Sequence, residues 1–310
     1  MADREITRIL ELWRDVSAKG GEAVLATVIR TEGSSYRLPG ARLLLTRDGR
    51  RAGSVSGGCL EEDLLRKAWW FTEPGPGVRR YDTNADGEIV GQYGLGCNGI
   101  IYVALERVRA GHSAALDLLA RVRETRVPAT LAHPPSAPGH DSFVETITPV
   151  TRLLVFGAGD DAVPLTDFAA QLGWEVHVFD GRAHYARKEK FPHAASVSVR
   201  SAGSGEPIAA DAWTVAAVMS HSYKQDLANL RELLPLKLPY LGVLGPRKRT
   251  EQLLAEIGTR GPVHAPMGLD LGADGPEQVA LAAIAEMQAV LNGRAGGQLR
   301  YREGSIHQCA

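Results

Sequence analysis

Two cysteines of this chain stand among glycines, whereas a structural thiol is ordinarily surrounded by apolar side chains. Cys59 closes the run Ser56-Gly57-Gly58-Cys59 and is followed by Leu60-Glu61; Cys97 sits within Gly94-Leu95-Gly96-Cys97-Asn98-Gly99. The pattern after Cys59 predicts a helix, so that thiol falls at a helix N-terminus, where the dipole favours the thiolate. Zinc fits poorly, because the two thiols stand singly, without a CxxC spacing or a histidine pair to complete four ligands. A soft metal with open coordination suits such thiolates better. A thiol–disulfide pair between Cys59 and Cys97 is the competing reading, and it requires Cα atoms within about 7 Å. Upstream, Gly33-Ser34-Ser35-Tyr36-Arg37-Leu38-Pro39-Gly40 offers hydroxyls at Ser34 and Ser35 and a guanidinium at Arg37 after a strand. That is the composition of an anion-cradling loop, with a plain surface turn as the alternative.

The second half carries a different signal. Gly157-Ala158-Gly159-Asp160-Asp161-Ala162 follows a predicted strand and opens a helix, and Asp180 ends the next strand. This is the dinucleotide fingerprint in its structural context, with Gly157, Gly159 and Asp180 as nucleotide-binding candidates and Asp180 favouring NAD over NADP. The two aspartates stand where a pyrophosphate would seek free N–H donors, so two readings are open: an NAD-dependent oxidoreductase, or a Rossmann scaffold kept for folding and docking. His221, just past the strand Val215 to Met219, is the candidate catalytic group at the carboxyl edge of that sheet.

The elements that must position these residues follow from hydrophobic periodicity. Ala23 to Thr31 reads as a buried strand, and Arg42 to Thr46 with Gly53 to Ser56 reads as a hairpin turning at Asp48-Gly49. Leu60, Leu64, Leu65 and Ala68 line one helix face up to the breaker Pro74-Gly75-Pro76-Gly77. Strands over 78–81, 100–105 and 128–133 and a helix over 114–124 complete a mixed α/β domain, residues 1–133. Residues 134–149, with four prolines, read as a connector. From 150 to 299, short apolar strands alternate with helices, the mark of a doubly wound parallel sheet buried on both faces. The stretch 300–310, with Cys309, has no periodicity and is expected to be a disordered tail.

Composition narrows the function classes. With 310 residues and 44% apolar content the chain can build two cores, and a formal net charge of -1 with dispersed Lys and Arg gives no footprint for nucleic acid. No apolar run approaches the roughly 18 residues of a membrane span, and the amphipathic N-terminus does not read as a secretory signal. Three separated cysteines fit a reducing compartment, which places the protein in the cytoplasm.

Taken in order, the motifs resemble the XdhC/CoxI family, accessory proteins of xanthine dehydrogenase and carbon monoxide dehydrogenase. The resemblance runs through Arg30-Thr31, Gly33 to Arg37, Pro39-Gly40-Ala41, Ser56 to Glu61, Gly96 to Gly99, Gly157-Ala158-Gly159, Ser220-His221, Leu241 to Gly245 and Gly268 to Ala273. It implies a homodimeric carrier, not a metabolic catalyst, that binds the molybdenum cofactor (molybdopterin), protects it, supports its sulfuration with a cysteine desulfurase, and delivers it to a xanthine-dehydrogenase-type molybdoenzyme. It implies cofactor contacts at Ser34, Ser35, Arg37, Gly57 and Gly58, and molybdenum ligation at Cys59, with Cys97 as the second candidate. It also implies a Rossmann-like C-terminal domain. The chain departs from the family pattern at Asp160, where a histidine is common, and at Asn98, where a glycine is common.

Overall fold

The computed structural model describes residues 3–83, 99–109, 113–258 and 261–303. The chain divides into two compact units, residues 1–149 and 150–310.

In the first unit, helix α1 (Asp3–Ala18) is followed by strands β1 (Glu22–Gly33), β2 (Arg42–Thr46) and β3 (Arg51–Gly53), helix α2 (Cys59–Phe71), strands β4 (Gly77–Asp82) and β5 (Gly99–Arg109), helix α3 (Ala114–Thr125), and strands β6 (Ala129–Pro135) and β7 (Ser142–Ile147). Five strands form an antiparallel sheet in the order β3-β2-β1-β5-β4. Residues 23–29 of β1 are all buried because both faces of this central strand are covered. Ala23, Leu25, Leu44 and Val108 meet Ile9, Leu10 and Trp13 of α1 and Leu116 and Leu119 of α3; Val24, Ala26, Val28, Leu43 and Leu45 meet Leu60, Leu64 and Ala68 of α2.

The structure departs from the sequence reading at two places. The hairpin's second strand ends at Gly53 instead of running through Ser56, because the N–H groups of Val55 and Ser56 turn to the Glu61 carboxylate, both at 2.9 Å. Within 134–149, expected as a connector, Ser142–Ile147 is a strand paired with β6. Its Phe143, Glu145 and Ile147 alternate with more exposed neighbours, the period of a half-buried strand; Pro134, Pro135 and Pro138 cluster before it and Pro149 follows it.

The second unit runs β8 (Arg152–Phe156), α4 (Ala162–Leu172), β9 (Glu175–Asp180), β10 (Ser196–Val199), β11 (Thr214–Val218), α5 (Tyr223–Leu233), β12 (Tyr240–Val243), α6 (Arg247–Ile257) and α7 (Pro276–Leu291). All five strands are parallel, in the order β10-β9-β8-β11-β12. Leu165 and Ala169 of α4 with Ala283, Ile284 and Met287 of α7 cover one face; Leu227, Leu230 and Leu233 of α5 with Leu253 of α6 cover the other. The chain leaves β8 toward β9 on one side and returns to β11 on the other. The strand order therefore reverses between β8 and β11, where an open α/β sheet has its ligand crevice.

A buried ionic group pins the β6–β7 hairpin to the first sheet. Arg42, 1% exposed, pairs with Glu145 and donates to the Gly40 carbonyl at 2.9 Å, while His133 Nε2 lies 2.8 Å from Glu145. Burial, with the Arg42 charge beside it, pushes the His133 pKa down to about 4. The folded imidazole therefore stays neutral where the unfolded one, near pH 6.5, takes up a proton. The unfolded state binds more protons between these values, so stability falls as pH is lowered from about 6.5 toward 4. Urea midpoints measured across that window should drop, by up to about 3 kcal/mol in unfolding free energy, and the slope should flatten in His133→Gln.

Candidate functional site

Two of the sequence motifs and the last glycine of a third, Gly99, meet at one end of the antiparallel sheet. Beyond Val28, β1 continues to Gly33, which pairs with Gly99 at the start of β5. A Cβ on Gly99 would stand 2.2 Å from the Ser34 carbonyl oxygen, so only glycine fits that approach. Thr83 closes the same corner, its N–H and hydroxyl donating to the Gly99 carbonyl at 2.9 and 2.7 Å. The loop that follows returns to the sheet where Gly40 N–H donates to Val28 at 2.8 Å. Within it Ser34 is exposed and Ser35 Oγ donates to the Arg37 carbonyl at 2.8 Å. The ring of Tyr36, 63% exposed, lies over Gly57, and a Cβ there would meet its Cγ at 3.9 Å.

Gly57 and Gly58 are exposed, and Cys59 is the first residue of α2. Gly58 has φ 123°, a conformation open to glycine. The turn before it is built around Glu61, a residue of the motif to which the sequence alone assigned no role. One oxygen of its carboxylate accepts from Ser54 Oγ, Val55 N–H and Ser56 N–H, each at 2.9 Å; the other accepts from Gly58 N–H at 3.1 Å and from the Ser56 hydroxyl. Ser56 Oγ in turn accepts from Gly58 and Leu60 N–H at 3.1 and 3.2 Å. Burial works against ionisation of Glu61, but these donors outweigh it and hold its pKa below the usual carboxylate value. The available signal was a glutamate at the third helical position after a serine-containing turn, one half of a capping box.

Not every nominated group stands free. Arg37 forms an ion pair with Glu5 of α1. The anion loop thus holds a carboxylate partner of its own. Cys97, and with it the competing reading of a thiol–disulfide pair with Cys59, lies outside the described residues.

In the second unit the fingerprint loop has the fold's usual shape and an unusual occupancy. Gly157 has φ 125°, and a Cβ on it would fall 2.5 Å from the Met219 carbonyl, which lets the β8 turn lie against the end of β11. Asp180, buried, accepts from Ala158 N–H at 2.9 Å and from Arg182 Nη2 at 2.8 Å. Burial resists ionisation of Asp180, and the bonds from Arg182 and Ala158 more than compensate, lowering its pKa. The carboxylate that would receive a ribose hydroxyl is thus already engaged, and Lys190 binds both the Ala158 carbonyl and Asp160, at 2.8 and 2.7 Å. Asp161 makes no side-chain cap to the helix it opens; it lies 2.6 Å from His221 Nε2.

That contact, beside Gly159, spans the loops after β8 and β11. His221 is 60% exposed at its side chain and has φ 60°, a left-handed conformation uncommon outside glycine, in which asparagine, aspartate and histidine are over-represented. Behind it, buried Asp226 accepts from Ser220 N–H at 3.1 Å, from Ser220 Oγ at 2.5 Å and from Arg249 at 2.5 Å. Arg249 also donates to the Leu244 carbonyl at 3.2 Å, so the Ser220-His221 and Leu241 to Gly245 motifs share one polar network.

Fold and site together define a two-unit α/β protein, with a glycine- and serine-rich turn at one end of an antiparallel sheet and a Rossmann unit whose acidic residue is bonded internally. Residues 16–82 match the XdhC and CoxI family and residues 153–287 the XdhC Rossmann domain. A Bacillus subtilis relative, named as a probable subunit of xanthine dehydrogenase, is 32% identical over 309 residues, covering 86% of this chain and 92% of its own. The Escherichia coli molybdenum cofactor insertion chaperone PaoD is 28% identical, covering 89% of this chain and 85% of its own. A crystal structure described as a xanthine dehydrogenase from Bacillus halodurans superposes with a TM-score of 0.80 at 28% identity, over 98% of each chain. The chain belongs to the XdhC and CoxI family.

Two measurements check these assignments. Glu61→Ala should lower the unfolding free energy by about 2–4 kcal/mol, since it leaves several buried donors unpaired; a urea titration reads the loss. Millimolar NAD(H) should leave the melting temperature unchanged. A rise of the size given by ligand at 100-fold its Kd, about 2.7 kcal/mol, would reinstate the nucleotide site.

Proposed function

We propose that this chain binds the molybdenum cofactor as cargo at the end of the sheet formed by Ser34 to Gly40, Gly57 to Cys59 and Gly99. There it protects the cofactor, holds it for exchange of an oxo for a sulfido ligand, and passes it to a xanthine-dehydrogenase-type molybdoenzyme. The observation that carries this reading is the convergence of the serine loop, the cysteine turn and the glycine opening β5 on one edge. The role for which the Escherichia coli relative is named, a protein similar over 89% of this chain, supports it.

The donor set suits such cargo. A cysteine opening α2 supplies a thiolate ligand for a soft, oxidisable metal, with Cys97 as the second candidate. The N–H groups of Gly58 and Leu60 are already taken by Ser56 and Glu61, so an anionic phosphate must find its donors in Ser34, Ser35 and Arg37. It reaches Arg37 by displacing Glu5. Gly57 presents only backbone, which leaves room for a flat ligand beside Tyr36. Sulfuration calls for a sulfur donor of the cysteine desulfurase class. Presentation to a large acceptor enzyme suits a homodimer in the cytoplasm.

The test is co-expression in a host that makes molybdenum cofactor, with anaerobic purification of wild type and Cys59→Ala. Wild type should retain molybdenum and pterin fluorescence, and Cys59→Ala should lose most of both while keeping its circular dichroism. A wild type that carries neither would overturn the reading.

A further inference from the structure

The first unit contains a cavity of about 250 Å³ between its sheet, the start of α3 and strand β6. It lies on the face opposite α2, part-way along β5, and is therefore distinct from the edge at Gly99. Val78, Ala115 and Leu131 give it apolar walls, and Thr27, Glu106 and His133 bring polar atoms to it. The register explains why they meet. Thr27 stands opposite both Arg42 and Ala104, and Leu25 opposite Glu106, so alternation sends Thr27, Arg42 and Glu106 to one face of the sheet.

Glu106 takes part in no hydrogen bond or ion pair among the described residues, and burial raises its pKa against the opposing pull of Arg42. Nearby, outside the lining, Arg42 Nε is buried without a partner among the described residues, although the guanidinium charge is met by Glu145. Buried polar atoms of a native protein are nearly always paired, with protein, water or ligand. An apolar pocket with a few convergent polar groups and a shifted carboxyl is the arrangement of a small-molecule site.

The lining narrows the ligand. Among the described residues it contains no lysine or arginine, so nothing there meets a phosphate or a free carboxylate. At about 250 Å³ the cavity is smaller than the roughly 300–1,000 Å³ of a usual ligand pocket, which suits a free base and not a nucleotide. A carboxyl beside a hydroxyl calls for a donor and an acceptor side by side on the ligand. We propose that this cavity binds a small uncharged heterocycle of the lactam type, of one or two rings, its N–H directed to Glu106 and its adjacent carbonyl to Thr27.

The experiment is saturation-transfer NMR with a parallel thermal-shift series on the full chain. Hypoxanthine and uracil are the probes, and caffeine, whose ring nitrogens carry methyl groups in place of hydrogens, is the control. At least one of the two bases should bind saturably and raise the melting temperature, and caffeine should do neither. Glu106→Leu should weaken binding about tenfold or more, the loss of a hydrogen bond to a desolvated partner. Ala115→Phe, which fills the cavity, should abolish it, and Thr27→Val gives a second polar deletion if Glu106→Leu does not fold. Absence of saturable binding of either base at millimolar concentration, an equal response to caffeine, or binding unchanged in Ala115→Phe would overturn the proposal. None of these outcomes touches retention of molybdenum cofactor, which is read separately at Cys59.

Discussion

The carboxylate of Glu61 is the interaction on which the first unit's edge depends. A turn rich in glycine and serine has little reason to hold one conformation, since Gly57 and Gly58 add no side-chain packing and lose much conformational entropy on folding. One buried anion gathers donors from Ser54, Val55, Ser56 and Gly58 and fixes the turn from within. It also ends β3, directs the chain into α2, and sets where that helix begins. The backbone position of Cys59 is thus a consequence of a residue two places further along.

The second unit applies the same means to a different end. Its crevice between β8 and β11 is the place where such sheets hold ligands. Here Asp161, after β8, reaches across it to His221, after β11, while Lys190 to Asp160 and Arg182 to Asp180 tie down the β8–β9 side. The φ of 60° at His221 is a local cost, and the bonds of Ser220 to Asp226 and of Asp226 to Arg249 hold the backbone on either side. The scaffold of a dinucleotide fold has been kept while its acidic residue satisfies its own loop.

Much of this was legible in the sequence. Continuous apolar runs located the central strand of the first sheet and the strands of the second unit, which are covered on both faces, and helical periodicity located the helix after Cys59. The fingerprint glycines were legible as well: Gly157 and Gly159 answer to backbone geometry. Side-chain partners across sequence were not. Nothing local tells that Arg37 is held by Glu5, that Asp161 reaches His221, or that Glu145 closes on Arg42. The prolines flanking β7 also outweighed its weaker alternation, so a strand read as a connector.

The topology of the first sheet carries a consequence for how the chain becomes folded. Its two most extensively paired strands are distant in sequence, with Glu22 of β1 opposite Arg109 of β5. On a ribosome, β1 therefore waits with one hydrogen-bonding edge unpaired until residues well past 100 have emerged. Non-local antiparallel pairing of this kind makes folding slow and leaves an apolar strand edge exposed to other chains meanwhile. The pairing with β2, reached early through the short loop of residues 34–41, covers the other edge during that interval and limits the opportunity for misassembly.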